Sequence, residues 1–380
     1  MSMNRRSFHR HLAATLGLGM ATLATGRAGA AAPDTRPAGG PGRVYTSTNN
    51  AAGNELLVFG NDGSGTQVLL ARVQTLGQGT SSGLGSQGAV TLSGDGRHLF
   101  VVNAGNHTLS SFAGRGGTPT LVSVVASGGL RPISVSEHEG LVYVVNADGD
   151  GNVAGFRNQR GMLLPLAGSV RPLSAAGGTA PAQVGIGTEG DVLVVTEKNT
   201  NRITSYALAA DGSAGPPLAT ASSGPTPFGF TFDRRNRLLV SEAFGGAADA
   251  SALSSYRFDA AAPALPVVVS RSVPTGQTAA CWVVATPNGR FVYTANAGSG
   301  SVSQFTMARD GSATLVAGVA ASTGANSGPV DMAISGNGRM LHVLAGRVAT
   351  IFSFDIDDDG SLAAAGAVAG LPAGCVGLAA

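Results

Sequence analysis

Hydrophobic and polar positions along this chain recur in a single unit. Three copies show it: "VTLSGDGRHLFVVNAGNHTLSSF", "VVATPNGRFVYTANAGSGSVSQF" and "MAISGNGRMLHVLAGRVATIFSF". Each has an apolar run, a Gly-bearing turn, a second apolar run, a polar loop and an alternating segment that closes on an aromatic. Short apolar runs with period-two alternation predict strands, and the Gly turns predict antiparallel hairpins between them. The closing aromatics fall at Phe59, Phe112, Phe156, Tyr206, Tyr256, Phe305 and Phe354, between 44 and 53 residues apart. Seven units of about four strands, with no segment of helical period, predict an all-β fold. That fold is a seven-bladed β-propeller with four antiparallel strands per blade. The tail "LPAGCVGLAA" matches the first strand of a unit, and the first unit, opening at "GRVYTSTNN", lacks that strand. The C-terminal strand is therefore expected to close the first blade and remove an open sheet edge.

Composition supports this reading and adds an address. Glycine is 57 of 380 residues and charged residues only 12%, as many tight turns require. The first thirty residues hold Arg5-Arg6 before Phe8, a weakly apolar run and Ala28-Gly29-Ala30, the layout of a twin-arginine signal peptide. The run is too short and too rich in small residues to persist as a membrane anchor. The expected organisation is a signal peptide over 1–30, a linker over 31–42 and the propeller over 43–380. The mature protein is expected in the periplasm or secreted, as a monomer without a membrane span. The leader carries Arg5, Arg6, Arg10 and Arg27 and no acid. Without those four, 20 of the chain's 24 basic residues face 22 acidic ones, and the net charge becomes −2. No basic excess then argues for nucleic acid. Cys281 and Cys375 occupy equivalent positions in blades that are not neighbours, which predicts two free, buried thiols.

The unit "GRFVYTANAGSGSVSQF" resembles the YVTN-type propeller repeat, and the whole arrangement resembles the seven-bladed lactonase family. That family includes 6-phosphogluconolactonase and carboxymuconate-cyclizing enzymes. The resemblance runs from about Gly42 to Ala380. It implies catalytic His, Arg and Glu residues at strand starts and loops on one face. Blade 4 of such enzymes opens with Pro-His, where this chain has Pro181-Ala182-Gln183; blade 5 opens with Pro-Arg-His, where it has Pro227-Phe228. The Asn-Glu pair that follows is represented here by Ser241-Glu242. The usual His and Arg are not retained, while Glu242 is.

Aligning the units gives one residue per blade at the start of the loop after the second strand: Thr48, Asn103, Asn146, Glu197, Glu242, Asn296 and Ala345. Asn shapes such turns by local hydrogen bonds and is expected there on structural grounds, with ligand binding by Asn103, Asn146 and Asn296 as the functional alternative. Glu197 and Glu242 break the pattern in adjacent blades. As catalytic candidates they would form an acid/base pair at a shared rim; the alternative is two solvated rim charges. Lys198, the chain's sole lysine, follows Glu197. Arg131, Gln277 and Asp331 are expected near the mouth of the central channel, and His107 in a loop on the same face. The stretch "EAFGGAADASALSSY", from Glu242 to Tyr256, predicts a long loop suited to recognition.

Several motifs fail on context. "GLGSQG", Gly83 to Gly88, matches a dinucleotide fingerprint but precedes a strand with no helix after it. No G-x-S-x-G is present. "DIDDDG" falls where other units have a hairpin turn, whereas "DGDGN", Asp148 to Asn152, has calcium-loop oxygen spacing without a confirming downstream ligand and stays a calcium candidate. No other metal site and no cofactor are expected. The sequence leaves two functions open. One is an exported propeller binding a small molecule, glycan or protein partner at its rim; the other is a lactone hydrolase using Glu242 as acid/base.

Overall fold

The computed structural model describes residues 42–61, 67–114, 116–259 and 262–380. The expected leader and nearly all of the linker lie outside the described residues. Seven antiparallel sheets follow one another along the chain, each a meander whose strands we letter a to d from the axis outward. The a strands are Val376–Ala379 in blade 1, then Val90–Leu92, Leu130–His138, Pro181–Ile186, Pro227–Phe232, Ala280–Ala285 and Pro329–Ile334 in blades 2 to 7. In blade 1 the C-terminal strand pairs Ala379 with Tyr45 and Val376 with Ser47, so the ring closes as the sequence predicts. Blade 3 departs slightly, because the two-residue strand Arg171–Pro172 also pairs with its c strand, Asn152–Gln159.

Burial follows position in the blade. The b strands, such as Val192–Glu197 and Phe291–Asn296, are buried along their whole length because neighbouring blades cover both faces of the sheet. The outermost d strands alternate, as in Thr120–Ala126, since one edge and one face meet water. Aromatics at the strand ends fill the space between blades: Phe112, Tyr206, Tyr256 and Phe305 have no exposed surface. Each contributes roughly 1.5–3 kcal/mol by leaving water.

The Asp-Gly turns between strands c and d dock onto the preceding blade. Tyr143 of blade 3 donates its hydroxyl to Gly212 O of blade 4 at 2.8 Å, and Tyr293 of blade 6 donates to Gly360 O of blade 7 at 2.7 Å. Gly360 has φ +84°, and a Cβ there would come within 2.5 Å of the Phe291 ring. A side chain at that turn would push the two blades apart.

Around the axis, side chains of one blade satisfy the backbone of the next. Gln183 of blade 4 donates to Phe230 O at 2.9 Å and accepts from Phe230 N at 2.7 Å. Ser134 accepts from Val184 N and Ser136 from Ile186 N. Such stitching lets the small, polar a strands approach closely without stranding donors.

The axis itself is blocked. The a strand of blade 2 is only three residues long because the segment before it, Ser81 to Gly88, runs across the channel. Ser86 Oγ donates to Ile133 O in blade 3, and Gln87 N to Ala182 O in blade 4. The Gln87 amide pairs with both Val283 N and Val283 O in blade 6, at 3.1 and 2.9 Å. Trp282 Nε1 donates to Ser86 O, and Gly88 N to Asp331 Oδ2 in blade 7. Gly229 of blade 5 has no room for a Cβ, which would sit 2.1 Å from Gln87 Oε1. The "GLGSQG" stretch is therefore a plug across the propeller axis. Its glycines at 85 and 88 supply the left-handed turns, φ +61° and +77°, that carry the chain off the sheet and back.

Candidate functional site

The turns of each meander alternate between two faces. The b–c loops and the linkers into the a strands lie on one face, called upper here; the a–b and c–d turns lie on the other. The residues selected by the repeat position sit at the upper ends of the b strands, and the structure places them inside the blades. Glu197 and Glu242 are both fully buried. Glu197 accepts from Ser174 N at 2.9 Å, Thr200 Oγ1 at 2.7 Å, Thr204 Oγ1 at 2.6 Å and the Ser174 hydroxyl. Glu242 accepts from Gly224 N at 2.8 Å and from Ser254 Oγ and Ser272 Oγ, each at 2.6 Å. Each carboxylate ties the b strand to the c strand and to the linker leading into its own blade, and Glu242 also reaches the d strand through Ser272. They share no partner and meet no common space, so the expected rim pair is not what the fold builds.

The asparagines do the same task. Asn103 donates to Thr108 Oγ1 and Ser110 Oγ and accepts from Thr75 Oγ1 and Asn54 Nδ2. Asn146 accepts from Ser127 Oγ and donates to Ser127 O and Asn152 Oδ1. Asn296 donates to Ser301 Oγ and Ser303 Oγ. All three are fully buried. Gln277, expected at the channel mouth, lies instead in the linker between blades 5 and 6, where it accepts from Ser301 Oγ and donates to Gly276 O.

Three other candidates do come together. A cleft of about 420 Å³ opens on the upper face at blades 3 and 4, lined by Leu84, Arg131, Asp148, Pro181, Lys198 and Asn199 among others. Arg131 pairs with Asp148 at 3.2 Å, and its backbone N–H donates to His107 Nδ1 at 3.0 Å. That bond occupies Nδ1 as an acceptor, leaving the imidazole proton on Nε2. Asp148 opens the "DGDGN" stretch. Its neighbour in the cleft is a guanidinium, and among the described residues no cluster of metal-binding side chains is present.

Lys198 reaches inward from the end of its strand to the top of the plug. Its ammonium donates to Gly85 O at 2.6 Å and Pro181 O at 3.2 Å, and lies 4.7 Å from the centre of the Phe228 ring. Phe228 in turn packs on Trp282, 5.3 Å between ring centres. Among the described residues no carboxylate pairs with Lys198. Burial brings its pKa down to about 8, opposed by the nearby Cys281 thiol and reinforced by repulsion from Arg131. Cys281 is itself pushed up to about 12 by burial and stays a thiol; it and Cys375 are free and buried, as expected. With two carbonyls holding the ammonium, one N–H is left for an occupant of the cleft.

Asp331 lies on the other side of the plug. Below it a second cavity of about 410 Å³ follows the axis, lined by Gln87, Gly88, Gln183, Asp331 and the lower halves of the a strands. The Asp331 carboxylate accepts from Met332 N at 2.8 Å, from Gly88 N at 3.3 Å in the plug and from Leu378 N at 3.1 Å in the closing strand. Burial nevertheless raises its pKa to about 7, against the lowering by those three N–H donors. The long loop after Glu242 forms a short 3-10 turn, Phe244–Gly246, on the upper face and does not line the cleft.

Sequence reasoning found Arg131, Lys198 and His107 but missed Leu84, Phe228 and Trp282. The plug carries Leu84 into the cleft, and no local pattern announces a plug. Phe228 and Trp282 stand one residue after the blade-opening Pro227 and two after Ala280, positions that a comparison of a-strand starts could have flagged.

A seven-bladed propeller with a cationic cleft at its a-strand entrances is now defined. A family model described as "Lactonase, 7-bladed beta-propeller" matches residues 52–170 and 262–377, and the chain belongs to that family. A Bacteroides fragilis NCTC 9343 structure named a "putative 6-phosphogluconolactonase" is 19% identical, with a TM-score of 0.68, over 91% of this chain and 99% of that one. The periplasmic gluconolactonase PpgL of Pseudomonas aeruginosa is 15% identical with a TM-score of 0.63, over 88% of this chain and 98% of that one. At these identities the two structures show a common fold. Comparison by sequence with curated proteins finds no match.

Proposed function

We propose that this chain is an exported member of the lactonase family that binds a small anionic molecule, a sugar acid or its lactone, in the upper cleft of blades 3 and 4. One observation carries the reading: Lys198 presents an ammonium without a carboxylate partner, oriented by two carbonyls and an aromatic face, with one donor left over. A desolvated cation of this kind gains more from an incoming carboxylate than an exposed one would. Arg131, partly neutralised by Asp148, adds a second donor group beside it. The names of two structural relatives make gluconate and gluconolactone the first compounds to test.

Family membership favours a second reading, hydrolysis of the lactone, with Lys198 polarising its carbonyl. Glu242 is a poor acid/base for it, because every hydrogen bond it makes is to the protein interior. Calorimetric titration of the chain without residues 1–30 with gluconate, and a lactone-hydrolysis assay on the same sample, separate the possibilities. Binding that falls at least about tenfold in Lys198→Met and persists in Glu242→Gln supports the cleft. Wild-type hydrolysis abolished by Lys198→Met favours the enzyme. Undiminished binding in Lys198→Met removes the cleft from consideration.

A further inference from the structure

The lower face carries a second charged cleft, away from the Lys198 cleft. The a–b turn of blade 5 reads Asp233-Arg234-Arg235-Asn236-Arg237, the a–b turn of blade 6 ends in Arg290, and the c–d turn of blade 6 holds Arg309. All five arginines line one cavity of about 210 Å³ between the two blades.

Their partners differ. Arg237 is a buried strut: its guanidinium pairs with Asp233 Oδ2 at 2.5 Å through Nη2 and donates to Ala308 O at 2.9 Å through Nη1. The other four are exposed. Arg235 donates to Arg309 O at 2.8 Å, Arg290 lies over the Phe291 ring at 4.8 Å, and Arg234 runs alongside Gly289. Among the described residues none of these four has a carboxylate within ion-pair distance. Asp310, next to Arg309, turns its carboxylate back onto Ser312 N and Oγ. The repeat does not impose this charge. In blade 7 the corresponding lower cleft sets Arg339 against Asp357, Asp358 and Asp359, so carboxylates outnumber the arginine there.

Four exposed guanidiniums without a carboxylate partner, two of them held by a backbone carbonyl or a ring, concentrate positive potential in one cleft. Guanidinium forks match the oxygen spacing of tetrahedral oxyanions. We propose that the arginine cleft between blades 5 and 6 binds the phosphate or sulfate group of a ligand. This site is independent of the upper cleft and stands or falls separately from the sugar-acid reading.

The test uses the chain without its first thirty residues. Inorganic phosphate and sulfate are titrated by calorimetry at ionic strength held constant with chloride, and heparin supplies the same group on a polymer. Phosphate and sulfate are expected to bind saturably and to compete with each other. The double variant Arg234→Ala/Arg309→Ala is expected to lose at least about tenfold in affinity. Both side chains are exposed, so its thermal melt should match the wild type. Arg339→Ala, in the lower cleft of blade 7, is expected to bind phosphate unchanged. Heparin retention lost in the double variant assigns the anion to a sulfated polymer; phosphate binding without heparin retention assigns it to a free solute. Absence of both, or equal binding by wild type and double variant, overturns the proposal.

Discussion

Replacing Glu242 distinguishes a structural carboxylate from a catalytic one. Glu242→Ala removes the acceptor of three donors: Gly224 N, Ser254 Oγ and Ser272 Oγ. A buried donor left without a partner costs about 1–3 kcal/mol. The backbone amide cannot turn away, while the two hydroxyls can rotate towards other acceptors, so the loss should total about 2–5 kcal/mol rather than three full penalties. For a domain of this length each kcal/mol moves Tm by roughly 1–2 °C, which places Glu242→Ala about 3–8 °C below the wild type. Glu242→Gln keeps the shape. Its Oε1 accepts from Gly224 N and Ser254, and its Nε2 donates to a rotated Ser272 hydroxyl. Only the charge-assisted part is lost, about 1 kcal/mol and 1–2 °C. Scanning calorimetry measures the shifts, and gluconate titration with lactone hydrolysis measures function; both variants should match the wild type in whatever activity the cleft has. A Glu242→Gln protein with an unchanged melt and abolished binding or turnover would refute the structural assignment.

Three further expectations follow from buried groups near the axis. Lys198 has its folded pKa lowered to about 8 from 10.5. Burial of its ammonium therefore costs the folded state in full below pH 8, and the cost disappears as pH rises to 10.5. Wild-type stability should climb relative to Lys198→Met across that window, read from urea midpoints at both ends; parallel curves would exclude a desolvated ammonium. Asp331 has its folded pKa raised to about 7 from 3.8. Its favourable contribution is complete below pH 3.8 and lost as pH rises through 7, so Asp331→Asn should flatten the stability profile between those limits. An unaltered slope would remove Asp331 as its source. Gln87→Ala leaves Val283 N and O unpaired, which should cost about 1–3 kcal/mol and accelerate hydrogen exchange at the Val283 amide. Unchanged exchange there would mean that the plug does not bear on blade 6.

The fold was legible because it is periodic. Apolar runs and strand-ending aromatics recur seven times and Gly turns in most units, and the missing strand at "GRVYTSTNN" together with the extra one at "LPAGCVGLAA" gave the closure. The site was legible only where it departs from the repeat, and not every departure meant function. Glu197 and Glu242 read as anomalies because asparagine fills that position in three other blades. What selects the residue is the set of partners around it. Asn146 meets donors and acceptors together, Ser127 Oγ against Ser127 O and Asn152 Oδ1. Glu197 meets donors alone, supplied by Ser174, Thr200 and Thr204. An acceptor-only side chain suits an all-donor surround. Those hydroxyls stand in the sequence, but only the strand register brings them to one point. The plug escaped notice for a related reason: its contacts join residues almost two hundred positions apart, and its glycines resemble any turn.

The same reasoning separates Lys198 from the carboxylate beside it. A buried charge whose hydrogen-bonding capacity is spent inside the protein is part of the scaffold, however unusual it looks in an alignment of repeats. Glu197 is in that state, with four donors on two oxygens. Lys198 is not: its charge has lost much of its water, and two carbonyls, one of them in the plug, hold it without neutralising it. Carbonyls orient an ammonium but leave its net charge in place, so the electrostatic cost of burial persists until an anion arrives. That unmatched charge is what the proposed ligand would complete. By that criterion the segment "VVTEKNTN" contains one structural charge and one available charge, and the available one is the lysine.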